Sequence, residues 1–173
     1  MIYEPREDSF LLQQYVKKYV RGKVLDMGTG SGIQALTAKE QTSDVLAVDI
    51  NPEAVAYVKR QSINTIISDL FANVKGTFDV IIFNPPYLPE TEEEDSESRQ
   101  ITTGGTYGHE VLERFLKEAK NFLAKEGQIL IVVSSLTGDI QRLLGTYNYR
   151  FQMLKEQKIP FETLAVYLAE HEP

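Results

Sequence analysis

Four consecutive residues, Asn84-Pro85-Pro86-Tyr87, carry the most legible chemistry in this chain. Proline has no N–H and a fixed φ, so the pair stiffens the backbone and removes two donors. What remains is acceptor-rich: the Asn84 side-chain oxygen and the Pro85 carbonyl. Tyr87 adds a flat aromatic wall. Two acceptors beside an aromatic face make a clamp for a planar group bearing an NH2, such as a carboxamide or an adenine. An Asn-Pro pair is otherwise an ordinary turn. A second set of residues upstream gives this one a functional context.

That set begins with Asp26-Met27-Gly28-Thr29-Gly30-Ser31-Gly32. Glycines allow a ligand to approach the backbone closely and allow unusual φ values. The dinucleotide fingerprint would place its last glycine where Ile33 stands. Preceded by Asp26, the Gly-x-Gly-x-Gly turn resembles the first motif of S-adenosylmethionine-dependent methyltransferases. The resemblance implies that the turn backs the amino-acid part of that cofactor, with the Asp26 carboxylate nearby. Asp49 ends an apolar run and can accept two hydrogen bonds from ribose hydroxyls. Asp69 ends the next one, where the methyltransferase fold places a contact to the adenine amino group. Single acids at strand ends are usually caps or turn residues, but three in succession would line one crevice. The cofactor-binding set read this way is Tyr3, Asp26, Gly28, Thr29, Gly30, Gly32, Asp49, Ile50, Asp69, Leu70 and Asn84, and the catalytic set is Asn84, Pro85 and Tyr87.

The elements that must position these residues follow from periodicity. Leu12, Tyr15, Val16, Tyr19 and Val20 repeat at helical spacing, giving a helix over about 7 to 20 that Asp8 or Ser9 can cap. Residues 23–26 read as a strand, 31–40 as a helix and 45–48 as a strand. Asn51 caps the next helix, with Pro52 in its first position. Residues 65–68 form a short strand, and 78–83 a buried one that delivers Asn84 to the rim of the sheet. A polar loop covers about 88 to 107. Apolar residues from Val111 to Leu123 mark a helix that Gly127 ends. A buried strand at 129–133, a helix at 138–145, and strands at 150–158 and 163–169 complete the chain. The short Ile159-Pro160-Phe161 link requires the last two strands to be antiparallel.

Alternating strands and helices predict an α/β fold with helices on both faces of a mostly parallel sheet. Seven strands ending in an antiparallel pair match the plan of the Rossmann-like class I methyltransferases. At 173 residues, 42% of them hydrophobic, the chain reads as one domain, residues 1–173, with a proper core. No stretch approaches the roughly 20 apolar residues of a membrane span. The N-terminus lacks a basic-then-apolar signal pattern. Cysteine is absent, and His109 and His171 lie far apart, so no intrinsic metal and a cytoplasmic location are expected. The net charge of −7 and scattered basic residues oppose a broad phosphate-binding surface but suit a basic protein partner. The acidic run Glu90 to Glu97, just after the clamp, would repel phosphates.

Two further segments narrow the family. Tyr3-Glu4-Pro5-Arg6-Glu7-Asp8-Ser9 resembles the opening of HemK-like release-factor glutamine methyltransferases of the archaeal and eukaryotic type. Gly104-Gly105-Thr106-Tyr107-Gly108-His109-Glu110-Val111 resembles their Gly-Gly-x-x-Gly-x-Glu-Val stretch. With the Gly-rich turn and the Asn-Pro-Pro-Tyr segment, the likeness spans residues 3 to about 116. It implies N5-methylation of the glutamine in the Gly-Gly-Gln motif of a class I translation termination factor. It also implies a small zinc-ribbon activator protein as heterodimer partner. The short third strand is expected at the sheet edge, where a partner can be added.

An amide nitrogen is a poor nucleophile, because its lone pair is delocalised into the carbonyl. The clamp would orient it and stabilise the positive charge growing on it, with no strong base needed. His109 is accordingly read as a polar residue at a helix start. Tyr3, Glu7 and Asp8 stand either to fold over the cofactor or, for Asp8, to cap the first helix. The same clamp would serve N6-adenine methylation of DNA or RNA, with a flipped base entering the pocket. The acidic balance and the lack of an added recognition domain weigh against that. A non-catalytic cofactor-binding subunit is the third reading, which the presence of Asn84 opposes.

Overall fold

Phe78 to Phe83 is buried almost throughout, as a strand covered on both faces must be. The computed structural model describes residues 2–86 and 109–172. In chain order the strands are β1 (Val24–Met27), β2 (Val45–Asp49), β3 (Asn64–Ile67), β4 (Phe78–Phe83), β5 (Leu123–Ser134), β6 (Tyr149–Ile159) and β7 (Glu162–His171). They form one sheet in the order β3-β2-β1-β4-β5-β7-β6. The first five run parallel, and β7 pairs antiparallel with both β5 and β6. The order reverses direction beside β1, so the carboxyl ends of β1 and β4 flank a crevice where ligands bind in such sheets.

The helices are α1 (Glu7–Tyr19), α2 (Ile33–Lys39), α3 (Pro52–Lys59), α4 (Glu110–Ala119) and α5 (Ile140–Thr146). The period-two alternation of strand side chains sorts the core into two layers. Leu25, Ile81, Phe83 and Ile131 pack with Leu112, Phe115 and Leu116 of α4 and Leu144 of α5 on one face. Val24, Ile82, Leu130 and Val132 pack with Leu11, Leu12 and Val16 of α1 and Ala35 and Ala38 of α2 on the other. Helices on both faces and the antiparallel closing pair agree with the expected α/β plan. Among the described residues no helix is long and apolar enough to cross a membrane.

Three expectations are corrected. Neither Asp8 nor Ser9 caps α1. Arg6 takes the N-cap place with extended backbone and no side-chain cap, and Asp8 and Ser9 lie inside the first turn, 2% and 1% exposed. The helix read as running to Leu123 stops at Ala119, passes through a 3-10 turn at Lys120–Phe122, and gives way to β5 at Leu123. Pairing of Leu123 with Phe78 and stacking of Phe122 on Phe71 (ring centroids 4.5 Å apart) override the helical spacing there. Gly127 therefore lies within β5 rather than after a helix. Between the pairs Phe78↔Leu123 and Val80↔Gln128 the register slips, and Glu126 adopts φ 63°. A Cβ at Gly127 would stand 2.8 Å from the Phe78 carbonyl oxygen, so the bulge accepts no side chain at that point. Asp69, finally, lies two residues beyond the end of β3 rather than at it. The polar loop, the acidic run, Tyr87 and Gly104 to Gly108 lie outside the described residues.

Candidate active site

The carboxyl ends of β1, β2 and β4 open onto a cavity of about 600 Å³. Its floor is the turn after β1, which bends through positive φ at Gly28 (63°) and Gly30 (53°). Tyr3 folds over that turn, its Cβ within van der Waals reach of any Cβ placed on Gly30. Gly28, Thr29 and Gly30 line the cavity; Gly32 does not. Gly32 instead caps α2 at φ 82°, and a Cβ there would come 2.8 Å from a Val58 methyl. Its part is to let α2 and α3 meet behind the turn.

Asp26, the third residue of β1, is 2% exposed and lies under the turn. Its Oδ2 accepts hydrogen bonds from Thr29 Oγ1 at 2.6 Å and Ala35 N at 3.1 Å, which ties the turn to the first coil of α2. Burial raises its pKa to about 7; the two hydrogen bonds oppose the shift and the Asp49 charge adds to it. Asp49 closes β2. Its Oδ2 accepts from Gly30 N and its Oδ1 from Asn51 N, each at 2.9 Å. Burial raises its pKa as well, and the backbone donors hold the rise back. With Ile50 N as a third backbone donor, the Asp49 carboxylate still keeps a site for a further donor.

Ile50 stands on the rim, half exposed, an apolar shelf next to the acid. Leu70 is buried with φ 46°, and the Ser68 hydroxyl donates to its carbonyl. Asp69 lines the same wall but is exposed and accepts a hydrogen bond from Arg114 of α4 at 2.9 Å. Arg114 had no signal in the sequence, because its partner lies in a different strand connection. Ile159 and Glu162, flanking the β6–β7 turn, also reach the cavity and were not anticipated.

Asn84 follows β4 immediately and lies on the cavity wall with Pro85 and Pro86. Its Nδ2 donates to Asp8 Oδ2 at 3.1 Å and approaches Ser9 Oγ at 3.4 Å. Its Oδ1 is buried and has no hydrogen-bond partner among the described residues. Leaving a buried acceptor open costs about 1–3 kcal/mol, a penalty that a donor brought by a ligand would remove. Asp8 is in turn held by the Tyr3 hydroxyl, 2.9 and 2.8 Å from its two oxygens, and by Ser9 N at 2.6 Å. Burial, followed by the Asp8 charge, raises the Tyr3 pKa, so the phenol keeps its proton for Asp8. The structure thus gathers Tyr3, Asp26, Gly28, Thr29, Gly30, Asp49, Ile50, Asp69, Leu70, Asn84 and Pro85 around one cavity and leaves Gly32 behind it. Asp8, read either as a cover for the cofactor or as a helix cap, lines the cavity, and Ser9, read only as a possible cap, lines it too.

Comparison with known proteins agrees with this geometry. The model of the methyltransferase small domain matches residues 7–159. A protein of Methanocaldococcus jannaschii, named for protein N5-glutamine methyltransferase activity, is 40% identical over 95% of this chain and 89% of its own length. Mouse methyltransferase HEMK2 is 32% identical over 76% of this chain and 71% of its own. Among solved structures, a chain of the Encephalitozoon cuniculi Mtq2–Trm112 complex, responsible for methylation of the eRF1 translation termination factor, superposes with a TM-score of 0.81. It is 26% identical, with 99% of each chain covered.

Proposed function

The chain belongs to the methyltransferase small-domain family, and from that premise we propose that it methylates the N5 nitrogen of the glutamine in the Gly-Gly-Gln motif of a class I translation termination factor, using S-adenosylmethionine. The observation that carries the reading is the open, buried Oδ1 of Asn84 beside the Gly-rich turn. An acceptor in that place suits an NH2 donor, and a glutamine carboxamide is such a donor.

The residues present fit the cofactor. The turn at Gly28, Thr29 and Gly30 would back its amino-acid part, Asp49 would accept from the ribose, and Ile50, Leu70 and Asp69 would surround the adenine, with Tyr3 closing over the turn. When bound, S-adenosylmethionine supplies an electrophilic methyl group. The protein's own task is placement. Asn84 Oδ1 would accept one N–H of the glutamine and the Pro85 carbonyl the other, and Tyr87 is the residue expected to face the amide plane. As positive charge grows on the nitrogen, fixed acceptors already pointing at its hydrogens stabilise it without reorganising. The methylated nitrogen is acidic and loses its proton afterwards, so no buried base is required.

The exposed edge strand β3 supports a protein partner. Ile67 there is 50% exposed and Tyr57 of the adjoining α3 is 41% exposed. A small zinc-ribbon activator would pair along that edge and cover both. Such a substrate is consistent with a cytoplasmic location beside the translation machinery. Mass spectrometry of the termination factor, and of tRNA and DNA, after incubation with the protein and cofactor tests the reading. One methyl group on the Gly-Gly-Gln glutamine is expected, and a methyl on adenine alone would replace this function with the nucleic-acid one.

A further inference from the structure

Asn84 has two chemically opposite ends, and only one of them can serve an NH2 substrate. If the carboxamide turned over, Nδ2 would meet the substrate hydrogens and repel them. What fixes the orientation is therefore part of the machinery. The Asp8 carboxylate faces Asn84 at 3.1 Å and offers only acceptors. Ser9 Oγ, 3.4 Å from Asn84 Nδ2, donates its single proton to Asp8 Oδ1 at 3.2 Å, which leaves that hydroxyl an acceptor toward Asn84. Both neighbours thus demand the NH2 end, and the oxygen end is the one left open. Asp8 is itself immobilised by the Tyr3 hydroxyl and by Ser9 N, and Gln34 Nε2 holds the Ser9 carbonyl at 2.8 Å. A carboxyl group that only capped a helix would not need a partner 76 residues away.

We propose that Asp8 is a positioning residue for methyl transfer, locking the Asn84 carboxamide so that its oxygen, and not its nitrogen, is presented to the substrate nitrogen. Tyr3 and Ser9 hold Asp8 for that task. The proposal rests on the reading of Asn84 as the acceptor for a substrate N–H. It adds a requirement that the Asn-Pro-Pro-Tyr segment cannot meet alone: the start of α1 must be folded against the end of β4 before the clamp has a defined polarity.

The test uses the full chain, with its activator if turnover requires one. Asp8→Ala and Asp8→Asn are expected to lower kcat about 10- to 100-fold, the equivalent of one charge-assisted hydrogen bond, while cofactor Kd by calorimetry stays within a few-fold. The double variant Asp8→Asn/Asn84→Asp exchanges donor and acceptor, since a carboxylate at 84 offers oxygen whichever way it turns. It is expected to recover about tenfold of the Asp8→Asn loss. A merely structural Asp8 predicts no recovery. A substrate-free readout stands beside turnover: the Asn84 side-chain 15N–1H signals, assigned by their absence in Asn84→Ala. One amide proton should be shifted and slow to exchange in the wild type and become ordinary in Asp8→Ala. Unchanged Asn84 signals in Asp8→Ala, or unchanged kcat in both single variants, overturns the proposal even if the double variant fails to fold. Failure of the glutamine reading shows instead as a wild-type protein that leaves the termination factor unmethylated while the Asn84 signals still depend on residue 8.

Discussion

Where β1 and β2 end, the cavity carboxylates are already bound by the chain's own donors; where β4 ends, the Asn84 oxygen is not. Asp26 is held by Thr29 and Ala35, and Asp49 by Gly30 and Asn51. Among the described residues Asn84 is held from one side only, by Asp8 and Ser9. The first half is a preformed cradle, in which a cofactor adds to geometry that exists without it. The second half is oriented but incomplete, and on the proposed function the group to be methylated would complete it. On that proposal, cofactor affinity belongs to one set of side chains and turnover to another.

The sharpest way to break that division is Asn84→Ala. Transfer of labelled methyl groups should fall by about 10²–10³-fold, as when one transition-state hydrogen-bond partner is removed, with calorimetric cofactor affinity nearly unchanged. Retained turnover would dissolve the acceptor half. Asp49→Ala probes the other side. Cofactor Kd should weaken about 10- to 100-fold through loss of charge-assisted hydrogen bonds, while kcat at saturating cofactor stays within a few-fold. An equal drop in kcat would merge the two halves into one.

A third expectation concerns stability. The Asp26 pKa, ordinarily 3.8, is raised to about 7 in the folded chain, chiefly by burial. Between those values the folded state holds a proton that the unfolded state has released. The resulting stabilisation is complete below about pH 4 and is lost progressively as pH rises to about 7, on the order of 4 kcal/mol in all. Asp26→Asn cannot titrate and should flatten that part of the curve, as followed by thermal unfolding from about pH 5 to about pH 8. A parallel decline in both proteins would remove Asp26 as the source. The smallest effect belongs to Arg114→Gln. Its ion pair with Asp69 is exposed, so stability should change by less than about 1 kcal/mol. Cofactor affinity should tighten by a few-fold at most, because Asp69 is freed for the adenine amine. Weaker binding would mean that Arg114 itself grips the ligand.

Much of the frame could be read from residue pattern. The runs at 45–48 and 78–83 are strands because continuous apolar stretches suit positions covered on both faces, and Asn51-Pro52 starts α3 as capping chemistry dictates. The carboxylates after strand runs do share a cavity. What escaped was non-local. Ser9 reads only as a helix start, and Asp8 as that or as a cover for the cofactor, yet both side chains turn to Asn84, which no window along the chain brings near. Gly127 looks like a helix stop until Phe78 is placed beside it. Gly32 belongs to a glycine motif and reads as a ligand contact, but its space is taken by Val58.

The β5 bulge carries a consequence for mutational tolerance. Gly127 is remote from the cavity, yet it rests against the carbonyl of Phe78, the first residue of the strand whose last residue precedes Asn84. A side chain there would press on the start of β4 and on the Ala124 backbone, disturbing the strand whose far end carries Asn84. In a saturation screen selected only for enzymatic output, position 127 should rank beside the clamp itself, a lesion at one end of a strand read out at the other.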